Sequence, residues 1–214
     1  MNIPDPVTLL LVFGLLGLLP TLVVVTTSFL KISVVMMLLR NALGVQQVPP
    51  NIALYGLSLI LTAYVMAPIG NRIYETTIQA GNLRSAESVV TSVRRGLEPL
   101  REFMVRNSRP EQRDFFLRTS HRMWGPAMSA DVKPTDFLIL MPAFLVSELT
   151  AAFQIGFLIY LPFVVIDLIV SNILLAMGMM MVSPVTISLP LKLFLFIAAD
   201  GWTRLIQGLV LTYT

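Results

Sequence analysis

Cysteine is absent from the 214-residue sequence, and histidine occurs once, at His121. Without thiols there is no disulfide, thiolate metal site or cysteine nucleophile, and one imidazole makes a poor start for a histidine metal cage. Charge is scarce too. Charged residues make up 13% and hydrophobic ones 56%, with a mean hydropathy of +0.79, whereas soluble domains carry about 25% charge. Nineteen of the 27 formal charges fall in residues 72–136. The other 149 residues carry eight: Asp5, Lys31, Arg40, Glu148, Asp167, Lys192, Asp200 and Arg204. So lopsided a distribution argues against a cytosolic enzyme, and the hydrophobicity argues against a disordered chain. There is no Gly-x-Ser-x-Gly elbow, phosphate-cradling loop or His-Glu-x-x-His helix. The net charge of +3 arises in residues 72–136, where Arg94-Arg95 is the only adjacent basic pair, too dispersed for a nucleic-acid partner.

What is present is membrane-class. A bilayer core about 30 Å thick takes roughly 20 apolar helical residues, and Val7 to Leu30 supplies 24 without a charge. Ile52 to Gly70 is a second uncharged run, joined to the first through Lys31, Arg40, Gly44 and Pro49-Pro50. Further runs are Phe137–Ile166, apolar except for Glu148, then Leu168–Leu191, then the stretch after Lys192. The expected fold is all-α, built from apolar helical hairpins with kinked or broken helices. It divides by polarity into an N-terminal hairpin at 1–71, a mainly helical polar domain at 72–136 and C-terminal apolar helices at 137–214. Pro20 and Pro162 are expected to kink helices, and Gly178, Pro184 and Pro190 to break one. Broken backbone at membrane depth survives where it is buried in protein or lines a wet cavity, which points to a pore or a multi-subunit bundle. Residues 7–30 exceed the 7–15-residue core of a signal peptide and are read as retained structure. In the polar segment, Val89, Val93, Leu97, Leu100 and Met104 follow helical spacing, Pro99 and Pro110 suit helix starts, and Gly125-Pro126 and Lys133-Pro134 suit stops.

Three groups of residues invite a function. Glu148 and Asp167 are carboxylates in apolar runs, where ionisable groups are functional candidates. Ion pairing with Lys31, Lys192 or Arg204 is the reading preferred over an acid pair or proton relay. The tract from Leu38 to Asn51 has a plain structural account, with Gly44 capping one helix and Pro49-Pro50 starting the next. Met177, Met179, Met180 and Met181 put four methionines beside Gly178. Methionine often fills cores, but in a broken, cavity-facing segment its flexible thioether re-packs around objects of different shape. A small-ion or metabolite transporter with its site at the Gly178–Pro190 break is the alternative function; an intramembrane enzyme is a weaker one, since no nucleophile or metal set is apparent.

Several ordered motifs carry a resemblance. They are Ser28-Phe29 with Lys31-Ile32; Leu38-Leu39-Arg40-Asn41-Ala42-Leu43-Gly44-x-Gln46-Gln47-x-Pro49-Pro50-Asn51; and Phe144-x-x-Ser147-Glu148-Leu149 with Ala152-Phe153-Gln154-Ile155-Gly156-Phe157. Met177-Gly178-Met179-Met180-Met181, Ile187-Ser188-Leu189-Pro190-x-Lys192 and Asp200-Gly201-Trp202 complete the set. Together they resemble the FliP/SctR export-gate family of type III secretion, over nearly the whole chain and most weakly at 72–136. The resemblance implies a non-enzymatic channel subunit of the bacterial inner membrane, without cofactors. It is expected to assemble as a ring of five copies with FliQ/SctS-like and FliR/SctT-like subunits, at the entrance for unfolded exported proteins. Gly44-Val45-Gln46-Gln47-Val48 favours the injectisome branch. The family sets residues 72–136 on the periplasmic side, although their 11 Lys/Arg count the other way; the positive-inside rule weakens in segments longer than about 60 residues. Arg40, Asn41, Gln46, Gln47, Pro49 and Pro50 become a cytoplasmic hairpin tip facing an FlhB/SctU-like switch subunit. Met179, Met180 and Met181 become the expected pore gate, since an apolar constriction gates by dewetting. Glu148 and Lys192 become an expected charge pair between neighbouring subunits, because a buried charge is tolerable only with a partner.

Overall fold

The computed structural model describes residues 6–45, 47–79 and 95–214. Among these the chain forms nine helices and no strand: α1 (Pro6–Thr26), α2 (Phe29–Leu43), α3 (Asn51–Gln79), α4 (Glu98–Asn107), α5 (Pro110–Met123), α6 (Pro126–Ser129), α7 (Phe137–Ala176), α8 (Pro184–Ala198) and α9 (Gly201–Leu211). The chain is all-α, as its composition and periodicity suggest. By internal contact it groups into two compact units, one of Met1–Leu30 with Pro68–Ser147 and the other of Lys31–Ala67 with Glu148–Thr214. The three segments expected from polarity divide the chain by composition, a different criterion.

In the first unit, Met104, Ile139, Leu140 and Ala143 are buried, and the Phe103 and Phe144 rings lie 5.8 Å apart, joining α4 to the start of α7. Pro110 opens α5, and Pro99 lies in the first turn of α4. Gly125 takes φ 76° before α6, as its position before Pro126 suggests. Arg113 Nη1 donates to the carbonyls of Val105 (2.6 Å) and Ser108 (3.3 Å), so its charge lies at the C-terminal end of α4, where a cation is favourable. Of the five spaced apolar residues, Met104 is buried and Leu97 exposed; Val89 and Val93 lie outside the described residues.

The second unit is built around α2. Ile32, Val35, Met36, Leu39, Ala42 and Leu43 form one helical stripe, all buried. The upper part of the stripe packs with Leu54 of α3, Ala152 of α7 and Leu209 of α9, and the lower part with Phe163 of α7 and Phe196 of α8. Gly156 permits this approach: a Cβ there would lie 2.2 Å from Leu38 Cδ1. Ala152 and Gly156 therefore form a small-residue contact, whereas Ala63 and Ala67, at the same spacing, are exposed.

Several expected bounds move. Lys31 and Arg40 do not mark a connection; both lie in α2, and only residues 44–50 join it to α3. A charge signals a loop only when water must neutralise it, and Lys31 is neutralised inside the protein. For the same reason Asp167 does not divide α7, which runs 40 residues through Pro142, Pro162 and Asp167. At 1.5 Å per residue it is about 60 Å long, roughly twice a bilayer core of about 30 Å. By length and composition α7 and Asn51–Thr76 can each cross a membrane, and two bent pairs, Pro20–Thr26 with α2 and α8 with α9, bring the total to four at most. The α8–α9 bend of 61° explains Asp200-Gly201-Trp202. Asp200 takes a left-handed φ of 51°, Gly201 leaves room for the Phe196 ring, which a Cβ would meet at 2.2 Å, and Trp202 packs edge-on to that ring at 5.4 Å.

Candidate functional site

Two ion pairs lie within the second unit, Lys31–Glu148 buried on both sides and Lys192–Asp167 buried only at the lysine. Lys31 Nζ lies 3.1 Å from Glu148 Oε1, with the side chains 5% and 2% exposed. The Tyr213 hydroxyl donates to Glu148 Oε2, and the Tyr213 ring lies under the Lys31 ammonium, 3.7 Å from Nζ to centroid. The cation thus has a carboxylate and an aromatic face, and the carboxylate has two donors, as burial of charge requires. In the second pair, Lys192 Nζ lies 2.6 Å from Asp167 Oδ2 and donates to the Ala42 carbonyl at 3.3 Å. Ala42 is in the last turn of α2, where carbonyls lack helical partners and a cation is favourable. The Ser188 hydroxyl lies 2.5 Å from Asp167 Oδ1.

These contacts bear out the structural pairing of Glu148 and Asp167 with Lys31 and Lys192. Within one chain, Glu148 pairs with Lys31 and Lys192 with Asp167, and Glu148 and Lys192 do not pair with each other. Each is isolated in its own apolar stretch of sequence, but folding brings Lys31 to Glu148 and Asp167 to Lys192, so each has a partner of opposite charge within the chain. Tyr213 and Ser188, which complete the two sets, carry no local sequence signal; a polar hydroxyl in an apolar context is their only mark.

The hairpin turn is ordered by Arg40. Its Nη1 donates to the Pro49 carbonyl (3.2 Å) and Asn51 Oδ1 (2.6 Å). Gly44, at φ 75°, donates to the Asn41 carbonyl at 3.1 Å, a helix-ending glycine. The Pro50 carbonyl accepts from Ala53 and Leu54 at the start of α3. Asn41, Gln47 and Pro50 are exposed, Pro49 is half-buried, and Gln46 lies outside the described residues.

The methionines occupy the turn between α7 and α8. Gly178, at φ 75°, ends α7 with paired hydrogen bonds, Gly178 N to Leu175 O (3.0 Å) and Met179 N to Leu174 O (2.9 Å), the Schellman arrangement. Pro184 then starts α8. Met179 is 40% exposed, Met180 82%, and Met181 fully exposed. These side chains fill no core of their own chain. They stand in the turn between α7 and α8, apolar and exposed.

Fold and site together define an all-helical, membrane-class subunit, with ion pairs inside and apolar outer faces of the kind that marks interaction surfaces. The chain belongs to the FliP family, whose model matches residues 12–209. It is 55% identical over 215 residues to Yop proteins translocation protein R of Yersinia pestis, covering 99% of this chain and 98% of that protein. It is 51% identical to harpin secretion protein HrcR of Erwinia amylovora over 98% of this chain and 97% of that one. Virulence protein YscR of Salmonella typhimurium is 48% identical over the full length of both chains. Nothing in these similarities supports the transporter alternative.

Proposed function

We propose that this chain is a core export-gate subunit of a type III protein-secretion apparatus of the injectisome branch, with Met179, Met180 and Met181 as the gate. FliP-family membership and end-to-end similarity to translocation and virulence proteins support the apparatus and the branch. The gate rests on one observation: three consecutive methionines exposed on a turn held by Gly178 and Pro184. A conduit for unfolded polypeptide has to pass side chains of every chemistry and block ions when idle. That calls for a collar that is apolar, deformable and unselective, and methionine is all three.

In this reading five copies form a ring with FliQ/SctS-like and FliR/SctT-like subunits in the bacterial inner membrane. Residues 72–136 lie on the periplasmic side, and the turn from Arg40 to Pro50 meets an FlhB/SctU-like switch subunit at the cytoplasmic mouth. The chain catalyses nothing; it shapes a path for the exported protein. Conductance across membranes holding the assembled complex tests the gate. Replacing Met179, Met180 and Met181 together with Ala should leave assembly and secretion intact and raise ion leakage. Equal conductance of variant and wild type would remove the gate from these residues.

A further inference from the structure

The methionine turn carries a chemistry that its shape and apolarity leave unused. Met177, Met179, Met180 and Met181 put four thioethers within a stretch of five residues, and all four side chains are exposed, Met180 and Met181 almost completely. Met36 in α2 and Met104 in α4 are fully buried. Oxidation of sulfur follows its exposure, and an accessible thiolate is the usual competitor for an oxidant; the chain has no cysteine. Leucine or phenylalanine would give the turn an equally apolar surface, and the flanking runs use both freely. What methionine adds is a sulfur that becomes polar on taking up oxygen and apolar again on reduction.

We propose that Met179, Met180 and Met181 form a reversible oxidation site, at which a two-electron oxidant, hydrogen peroxide or hypochlorous acid, converts the thioethers to sulfoxides and wets the turn. The sulfur lone pair attacks the electrophilic oxygen; an S–O bond forms as the O–O or O–Cl bond breaks. Sulfur gives up two electrons, and the proton of the transferred oxygen goes to the departing hydroxide, making water, or to solvent beside the departing chloride. The product is a polar side chain in place of an apolar one. Reduction by a methionine sulfoxide reductase restores it, two thiols becoming a disulfide while the sulfoxide oxygen leaves as water. An apolar constriction closes because water leaves it, so acceptor oxygens placed there hold water and let ions follow. The effect on conductance rests on the gate reading above, whereas the modification itself rests on the exposure and crowding of sulfur in one turn.

The assembled complex in liposomes, treated with graded hydrogen peroxide or hypochlorous acid, gives the test by peptide mass spectrometry and ion conductance on the same sample. Sulfoxide should form at Met180 and Met181 roughly tenfold faster than at Met36 and Met104, and conductance should rise with it. Methionine sulfoxide reductases for both epimers, supplied with dithiothreitol, should return conductance to its starting value. Met123→Leu with Met128→Leu removes two exposed methionines outside the turn and should leave the response intact. Met179→Leu, Met180→Leu and Met181→Leu together should abolish the rise on oxidation, measured against that variant's own untreated conductance. Equal oxidation of the turn and of the buried methionines, or a rise that persists in the triple Leu variant, would overturn the proposal. The triple Ala variant separates this inference from the gate: if it leaks and oxidised wild type does not, the oxidation site loses its effect and the proposal falls alone; if neither leaks, the gate falls with it.

Discussion

Truncating Glu148 to Ala would leave the Lys31 ammonium, 5% exposed, facing an apolar gap. Breaking a buried pair from one side costs about 3–5 kcal/mol, so Glu148→Ala should lower stability by that amount, read as the thermal unfolding midpoint in detergent. The double replacement Lys31→Met, Glu148→Leu removes both charges and should cost less than Glu148→Ala alone. Asp167 is different. Its side chain is 34% exposed, water can replace part of what it offers, and Asp167→Asn should cost clearly less than Glu148→Ala. Single variants with unchanged midpoints would show that the buried pair contributes nothing to the fold. The need for partners was legible in the sequence, because a few charges in 149 apolar residues cannot all stay unpaired. The identity of each partner was not. Tyr213 reaches Glu148 across 65 residues and Lys192 reaches Ala42 across 150, and no local pattern encodes such separations.

At the scale of the element, α2 is decisive, because both apolar clusters of the second unit draw on its stripe. Its approach to α7 depends on Gly156, where a Cβ would crowd Leu38 Cδ1 at 2.2 Å and its Cβ at 3.1 Å. Gly156→Ala should therefore destabilise by about 1–3 kcal/mol, the usual cost of overpacking, although alanine is the better helix former. Leu38→Ala in the same chain should recover part of the loss. If Gly156→Ala alone raised the midpoint, Leu38 would have to be free to turn aside. Turn chemistry was the most readable part of these elements: Gly44 and Gly178 end helices, and Pro110 and Pro184 begin them, whereas Pro190, expected to break a helix, lies inside α8. Helix bounds in the apolar runs are less legible, because a charge marks a boundary only when it meets water, and Lys31 and Asp167 are paired within the fold.

The whole molecule exposes large apolar side chains such as Phe13, Ile60, Tyr64, Phe157, Leu158 and Phe194, more than a lone water-soluble chain carries. The proposed ring would use such faces, and native mass measurement of the chain co-expressed with the FliQ/SctS-like and FliR/SctT-like subunits proposed above should give a hetero-oligomer containing several 23.7 kDa copies, five under that proposal. A lone 23.7 kDa species under those conditions would count against the ring. The link between Asp167 and Lys192 also bears on how that assembly works. It ties together two points 25 residues apart, and the methionine turn lies wholly between them. The turn is therefore a tethered span with fixed ends. In the proposed gate, its slack belongs to the residues inside the tether, and Met180 would be displaced while the anchor on α2 stays where it is. If the turn is the proposed gate, Asp167→Asn, chosen above for its mild effect on stability, should raise ion leakage in the conductance measurement more than it lowers the unfolding midpoint.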